Sequence, residues 1–134
     1  MSMIICYGAR PRILAALQTY LNGLTLRLYL NNHVPADSDT VSSYTEANFT
    51  GYAAIALTSW GTAFLNGSNL GEIDHPTQTF TQTGTGTTCM VYGYYVTDGS
   101  GNLIWAELNS AGPFNMNASG LTYTVAPILT DDDI

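Results

Sequence analysis

Lysine is absent from this chain, and arginine occurs only at Arg10, Arg12 and Arg27. Set against ten Asp and Glu residues, that leaves a formal net charge of −7. A surface so poor in cations repels phosphate backbones and anionic headgroups, so neither nucleic acid nor a membrane is expected as a partner. Charge of either sign is scarce, at 10% of residues against roughly a quarter in ordinary domains. Cysteine is nearly absent too. Cys6 and Cys89 cannot build a disulfide framework, and their spacing fits no zinc motif. A bridge between them needs Cα atoms about 6 Å apart, which spacing alone does not supply. Cys89 opens an apolar strand and reads as a small buried hydrophobe. No apolar run approaches the ~20 residues of a membrane span. Met3 to Tyr7 is too short for the apolar core of a secretory signal, and Arg10-Pro11-Arg12 interrupts it, so synthesis in a cytoplasm is expected.

What is present suits one domain with a real core: 134 residues, 46% of them hydrophobic. Thr, Ser, Asn and Gly replace the missing charge, and branched Thr favours strands. One helix is predicted near the start. Pro11 fits a first helical turn, Leu14, Leu17 and Leu21 recur at helical spacing, and Asn22-Gly23 is a stop signal. After Gly23 the period changes to two. Leu24, Leu26, Leu28 and Leu30 share one face of a half-buried strand, with Thr25, Arg27 and Tyr29 on the other.

Asn31–Ser43 reads as a polar loop carrying Pro35, Asp37 and Asp39. A small-residue β region follows at Tyr52–Thr58, with Trp60 and Phe64 beyond it and a loop at Asn66–Asn69. Thr77–Thr83 alternates Thr with Gln78, Phe80 and Gln82, and its polarity on both sides suggests an edge strand. Two β-rich runs, Met90–Thr97 and Asn102–Leu108, flank Asp98-Gly99-Ser100-Gly101 and predict a hairpin. A symmetric turn would pair Val96 with Leu103, Tyr94 with Trp105 and Tyr92 with Glu107 on one face. Tyr95 with Ile104, Gly93 with Ala106 and Val91 with Leu108 would lie on the other. A last strand, Leu121–Leu129, precedes the acidic Asp131-Asp132-Asp133, expected to be frayed.

Seven to eight short strands at about ten-residue spacing point to an all-β fold, an antiparallel sandwich or jelly roll with one short N-terminal helix. The expected organisation is an arm and helix at 1–23, a β-sandwich at 24–130 and an acidic tail at 131–134. Its core is expected to hold Leu24, Leu26, Leu28, Ile55, Leu57, Val91, Ile104 and Val125.

The hairpin bears on function because both its faces are apolar. One can join the core, and the other needs a cover: residues 11–21, another chain, or a sugar ring stacked on Tyr and Trp. Tyr92, Tyr94 and Trp105 are the candidate interface, with Arg10 and Arg12 of the N-terminal arm as a second contact. Catalytic signals are thin. Glu46, Glu72, Asp74, Asp98 and Glu107 are scattered, and no spacing pairs Glu107 with Glu46 as a glycosidase requires. His33 and His75 lack metal-ligand spacing and read as solvated loop residues. No enzymatic activity, cofactor or metal is expected.

The stretch Tyr44-Thr45-Glu46-Ala47-Asn48-Phe49-Thr50-Gly51-Tyr52-Ala53 followed by Trp60 resembles a pattern in small β proteins encoded among tailed-phage structural genes. So do Val91–Asp98 and Leu103–Glu107, and the likeness spans about residues 22–130. Such proteins are similar to capsid decoration, or cement, subunits of sandwich fold. The resemblance implies a non-enzymatic virion protein that oligomerises, stabilises the shell and binds the major capsid protein or another virion component. The alternative is a carbohydrate-binding or adhesion module of a tail fibre or cell surface.

Overall fold

The computed structural model describes Met1 and residues 3–133. A 3-10 turn (Tyr7–Ala9) leads into α1 (Arg10–Ala16) and α2 (Gln18–Leu21). Pro11 sits in the first turn of α1, where its missing N–H costs nothing. Eleven strands follow among the described residues: β1 (Leu24–Tyr29), β2 (Ile55–Leu57), β3 (Phe64–Leu65), β4 (Gly71–Asp74), β5 (Gln78–Thr81), β6 (Met90–Val91), β7 (Gly93–Thr97), β8 (Leu103–Leu108), β9 (Phe114–Asn115), β10 (Thr122–Val125) and β11 (Ile128–Thr130). They form sheets ordered β2-β1-β7-β8, β11-β4-β3, β10-β5 and β6-β9. The fold is all-β and antiparallel with a short N-terminal helix, consistent with a β-sandwich.

Eleven strands replace the expected seven to eight: two apolar runs change partner midway, and β3, β4 and β9 form where no strand was placed. Met90–Thr97 breaks at Tyr92, so β6 pairs with β9 while β7 pairs with β1 and β8. Leu121–Leu129 breaks at Ala126-Pro127, where proline cannot donate to a ladder, so β10 pairs with β5 and β11 with β4.

The chain divides into two compact units. The first takes in Met1–Gly23, Leu57–Thr77 and Ala126–Ile134. Here α1 lies on β4 so closely that a Cβ on Gly71 would meet the Arg10 carbonyl carbon at 2.7 Å. Leu14, Leu21, Ile73 and Trp60 are buried, and the Trp60 indole N–H donates to the Leu21 carbonyl at 3.0 Å. The acidic tail is not frayed. Asp131 accepts from Arg10 Nη1 (2.7 Å) through one carboxylate oxygen and from the Gly71 N–H (2.8 Å) through the other. Asp133 turns back to accept from the Thr130 N–H and hydroxyl.

The second unit takes in Leu24–Ala56 and Gln78–Val125. The period-two reading of β1 holds for Leu24, Leu26 and Leu28, which are buried, but Tyr29 on the opposite face is buried as well. In β5 the Thr face is exposed, while Phe80 and the following Gln82 are buried. Gln82 is tolerated inside because its amide is satisfied: Nε2 donates to the Met116 carbonyl and Oε1 accepts from the Gly84 N–H.

The hairpin register differs by two residues from symmetric closure. Tyr94 opposes Glu107, Tyr95 opposes Ala106 and Val96 opposes Trp105. A bulge between Val96 and Thr97 absorbs Ile104, which is half-buried rather than core, as is Ile55. Asp98 forms the turn as expected, its Oδ1 accepting from the N–H groups of Ser100 and Asn102. From Val96 back to Gly93 the shift of two keeps the expected faces, but beyond the bulge Leu103 lies with Tyr95 instead of Val96, and Tyr92 packs on that side too. Every residue of β7 is buried, with Leu28 opposite Tyr94 and Arg27 opposite Tyr95 across β1.

Gly93 makes the aromatic face possible, since a Cβ there would meet the Tyr29 hydroxyl at 2.8 Å and collide with the Glu107 carbonyl oxygen. Gly93→Ala is therefore expected to destabilise by about 1–3 kcal/mol through overpacking. Gly99→Ala, in open space at the hairpin turn, should stay within about 0.5 kcal/mol of the parent. Urea unfolding midpoints of the two variants check this, and equal midpoints would contradict it.

Candidate functional site

The hairpin aromatics do not form a common exposed platform. Tyr94 is buried, and its hydroxyl donates to Glu107 Oε2 at 2.7 Å. Tyr92 is half-buried against the cluster of Tyr29, Tyr44 and Tyr95. Its N–H donates to the Tyr29 carbonyl, and its carbonyl accepts from the Asn109 N–H. Trp105 stays half-exposed opposite Val96. Arg10 is bound to Asp131 and lies 5.9 Å from the Tyr7 ring centroid, whereas Arg12 is exposed.

The Tyr95 face is covered from within the chain by the 31–46 loop, while α1 docks on β4 and Gln18 and Leu21 of α2 hydrogen-bond with Trp60. Tyr44 stacks on Tyr95 with centroids 5.1 Å apart and meets Tyr29 edge-on at 4.9 Å. One carboxylate holds that cover down. Asp39 Oδ2 accepts from the Tyr44 hydroxyl (2.7 Å) and the Ala36 N–H (2.9 Å) and lies 2.7 Å from His33 Nε2. The hydrogen bond from Tyr44, then that from His33, hold the Asp39 carboxyl down at about 2, from an ordinary 3.8. Burial, reinforced by Asp39, pushes the Tyr44 phenol well above the usual range. Sequence reading placed Asp39 in the loop but could not see this role.

His75 is buried, not solvated. Its Nδ1 donates to the Pro76 carbonyl (2.9 Å), and its Nε2 accepts from the Ser59 N–H (3.3 Å) beside the Trp60 ring. Two carboxylates come together on β4, where Glu72 and Asp74 sit on one face two residues apart. Asn66 Nδ2 donates to Glu72 Oε2 at 2.6 Å. Burial, then the charge of Glu72, push the Asp74 carboxyl up. Among the described residues no cluster of three or more His, Cys, Asp or Glu could hold a metal ion. Glu46 belongs to a different network, 2.7 Å from Arg27 and 2.9 Å from the Tyr52 hydroxyl. Cys6 and Cys89 are both free thiols, Cys6 exposed and Cys89 buried as expected.

Most exposed large apolar side chains lie elsewhere, in the first unit, although Val34 and Phe114 of the second are exposed as well. Met3, Ile4 and Ile5 are 94%, 82% and 42% exposed, and Tyr7 and Ile13 follow them. In the same unit β3 is the end strand of its sheet, and both Phe64 and Leu65 are exposed. Met1–Ala9 contains no charged side chain. The sequence signal was there, as an apolar run too short for a signal segment. Comparison of the chain with protein-family models, curated proteins and solved structures finds no match.

Two acid–base outcomes follow. Because Asp39 has its pKa lowered in the fold, it stabilises above the ordinary carboxylate range, and that support is lost as pH falls towards 2. The parent should lose near-ultraviolet tyrosine dichroism over this interval, and Asp39→Asn should already lack part of the signal at pH 7. An unchanged signal in the variant would contradict the clamp. Asp74 has the opposite sign: its raised pKa favours folding below the ordinary carboxylate range and is a liability above it. Asp74→Asn should raise the urea midpoint at pH 7 and lose that advantage in acid.

Proposed function

We propose that this chain is a non-enzymatic structural subunit of a virion, a decoration or cement protein that self-associates and binds the assembled shell. The observation that carries the reading is the exposed, uncharged arm Met3-Ile4-Ile5 in the same unit as an exposed end strand, β3. An end strand offers unpaired backbone groups, and an extended apolar segment of a second copy can add to it as a further strand. Neutrality matters here. At net charge −7 two copies repel, and an arm and strand without charge allow contact where the repulsion is least. The likeness of Tyr44–Ala53, Val91–Asp98 and Leu103–Glu107 to tailed-phage structural proteins supports the virion setting. A subunit that binds only the assembled shell stabilises it by mass action. The partner is then the major capsid protein or another virion component.

Light scattering coupled to size exclusion tests the contact. The full chain should show a mass that rises with concentration, while Ile4→Asp should hold at the monomer mass. Because Ile4 is exposed, its urea midpoint should match the parent. A parent that stays monomeric at high micromolar concentration would remove the self-association. In purified particles, a copy number near that of the major capsid protein would support decoration, and a few copies would count against it.

A further inference from the structure

A cavity of about 480 Å³ opens in the second unit between the Asn48–Thr50 segment and the Thr85–Tyr92 segment. That volume falls in the range of small-molecule sites, roughly 300–1,000 Å³. Its inner wall is apolar: Leu30, Phe49, Cys89 and Met90. Its rim is polar and neutral, formed by Asn48, Thr50, Thr85, Thr87 and Thr88, with Tyr92 alongside. No Asp, Glu, Lys, Arg or His lines it, in a chain whose net charge is −7. Burial pushes the Cys89 thiol up, so the wall carries no thiolate at neutral pH. Gln82, the buried amide on the lining, is already satisfied by Met116 and Gly84.

The rim is different. The side chains of Asn48, Thr85, Thr87 and Thr88 make no hydrogen bond with any described residue, which leaves an amide and three hydroxyls to a ligand. Each hydroxyl can both donate and accept, and the amide offers both functions as well. A charged ligand would be desolvated here with nothing to neutralise it. A purely apolar ligand would leave the rim groups unmatched. We propose that this cavity binds a neutral, polyhydroxylated ligand, a saccharide unit of one or two rings. The sugar hydroxyls meet the threonine rim, and the C–H face of a ring lies towards Phe49 and Tyr92. The site shares Tyr92 with the aromatic residues singled out in the sequence but includes neither Tyr94 nor Trp105. It does not depend on self-association through the arm.

The test uses the full chain with a panel of glucose, galactose, N-acetylglucosamine and their β-1,4-linked dimers. Glucose 6-phosphate and glucuronic acid serve as charged counterparts. Titration calorimetry should find saturable binding of at least one neutral sugar and weaker binding of the charged ones. Thr87→Val with Thr88→Val keeps the branched shape and removes two hydroxyls, so affinity should fall by about tenfold or more. Thr85→Val is a second, independent probe of the same rim. No binding by any panel member at millimolar concentration would overturn the proposal. So would affinity indifferent to all three threonine changes, or charged sugars binding as well as neutral ones.

Discussion

Strand β7 is buried along its whole length, and the second unit is organised around that constraint. An antiparallel sheet commonly leaves one face to water. Here the Leu26, Leu28, Tyr94 and Val96 side is buried, and so is the Tyr29 and Tyr95 side. The second side is closed by a loop too polar to be held there by its own hydrophobicity. A single aromatic ring, Tyr44, does the covering, and Asp39 fixes it by gathering Tyr44, His33 and a backbone N–H on one oxygen. Gly93 is the complementary device. By lacking a side chain it leaves room for the Tyr29 ring beside the strand. Burial of β7, the clamp at Asp39 and the gap at Gly93 are three parts of one solution.

Features set by local chemistry were legible in the sequence. Pro11 and Asn22-Gly23 bounded the helix, the Leu24–Leu28 alternation defined β1, and Asp98 with two glycines located the hairpin turn. Features set by distant partners were not. The arithmetic of a symmetric turn cannot foresee a bulge at Ile104, which moves Leu103 from the expected Val96 face to the Tyr95 face. The run Met90–Thr97 looks continuous because both halves are apolar. Only the presence of β9 on one side and β1 and β8 on the other divides it. The Arg10–Asp131 pair joins residues 121 apart, and no local pattern marks the tail as anchored.

The same reasoning explains why the candidate interface moved. A two-sided apolar ribbon does demand two covers, but the demand is silent about who provides them. The loop supplied one, over Tyr95 and half-buried Tyr92, while Tyr94 is buried on the opposite side and Trp105 is left half-exposed. Apolar area still available to a partner is concentrated where the chain has no such cover, at Met3, Ile4 and Ile5 and on the two faces of β3. The saccharide-like cavity was invisible for a different reason. Its rim assembles Asn48 with threonines some forty positions away, and threonine in a β-rich sequence reads first as strand or surface.

The scarcity of cations has a structural consequence beyond partner exclusion. With no lysine and two of three arginines already paired, five of the ten acidic side chains are satisfied by neutral donors. They are: Asp39 by Tyr44, Glu107 by Tyr94, Glu72 by Asn66, Asp98 by backbone N–H groups and Asn102, and Asp133 by Thr130. Such hydrogen bonds to charge are short and strong without forming an ion pair, and salt screens them far less than it screens separated surface charges. The acids therefore serve as staples for loops and turns, each tied to a fixed local partner. The features proposed for recognition are uncharged: an apolar arm, an end strand and a threonine-lined cavity. On the proposed reading the contacts that confer specificity are neutral and short-range, because at −7 the long-range field disfavours the approach of anionic surfaces.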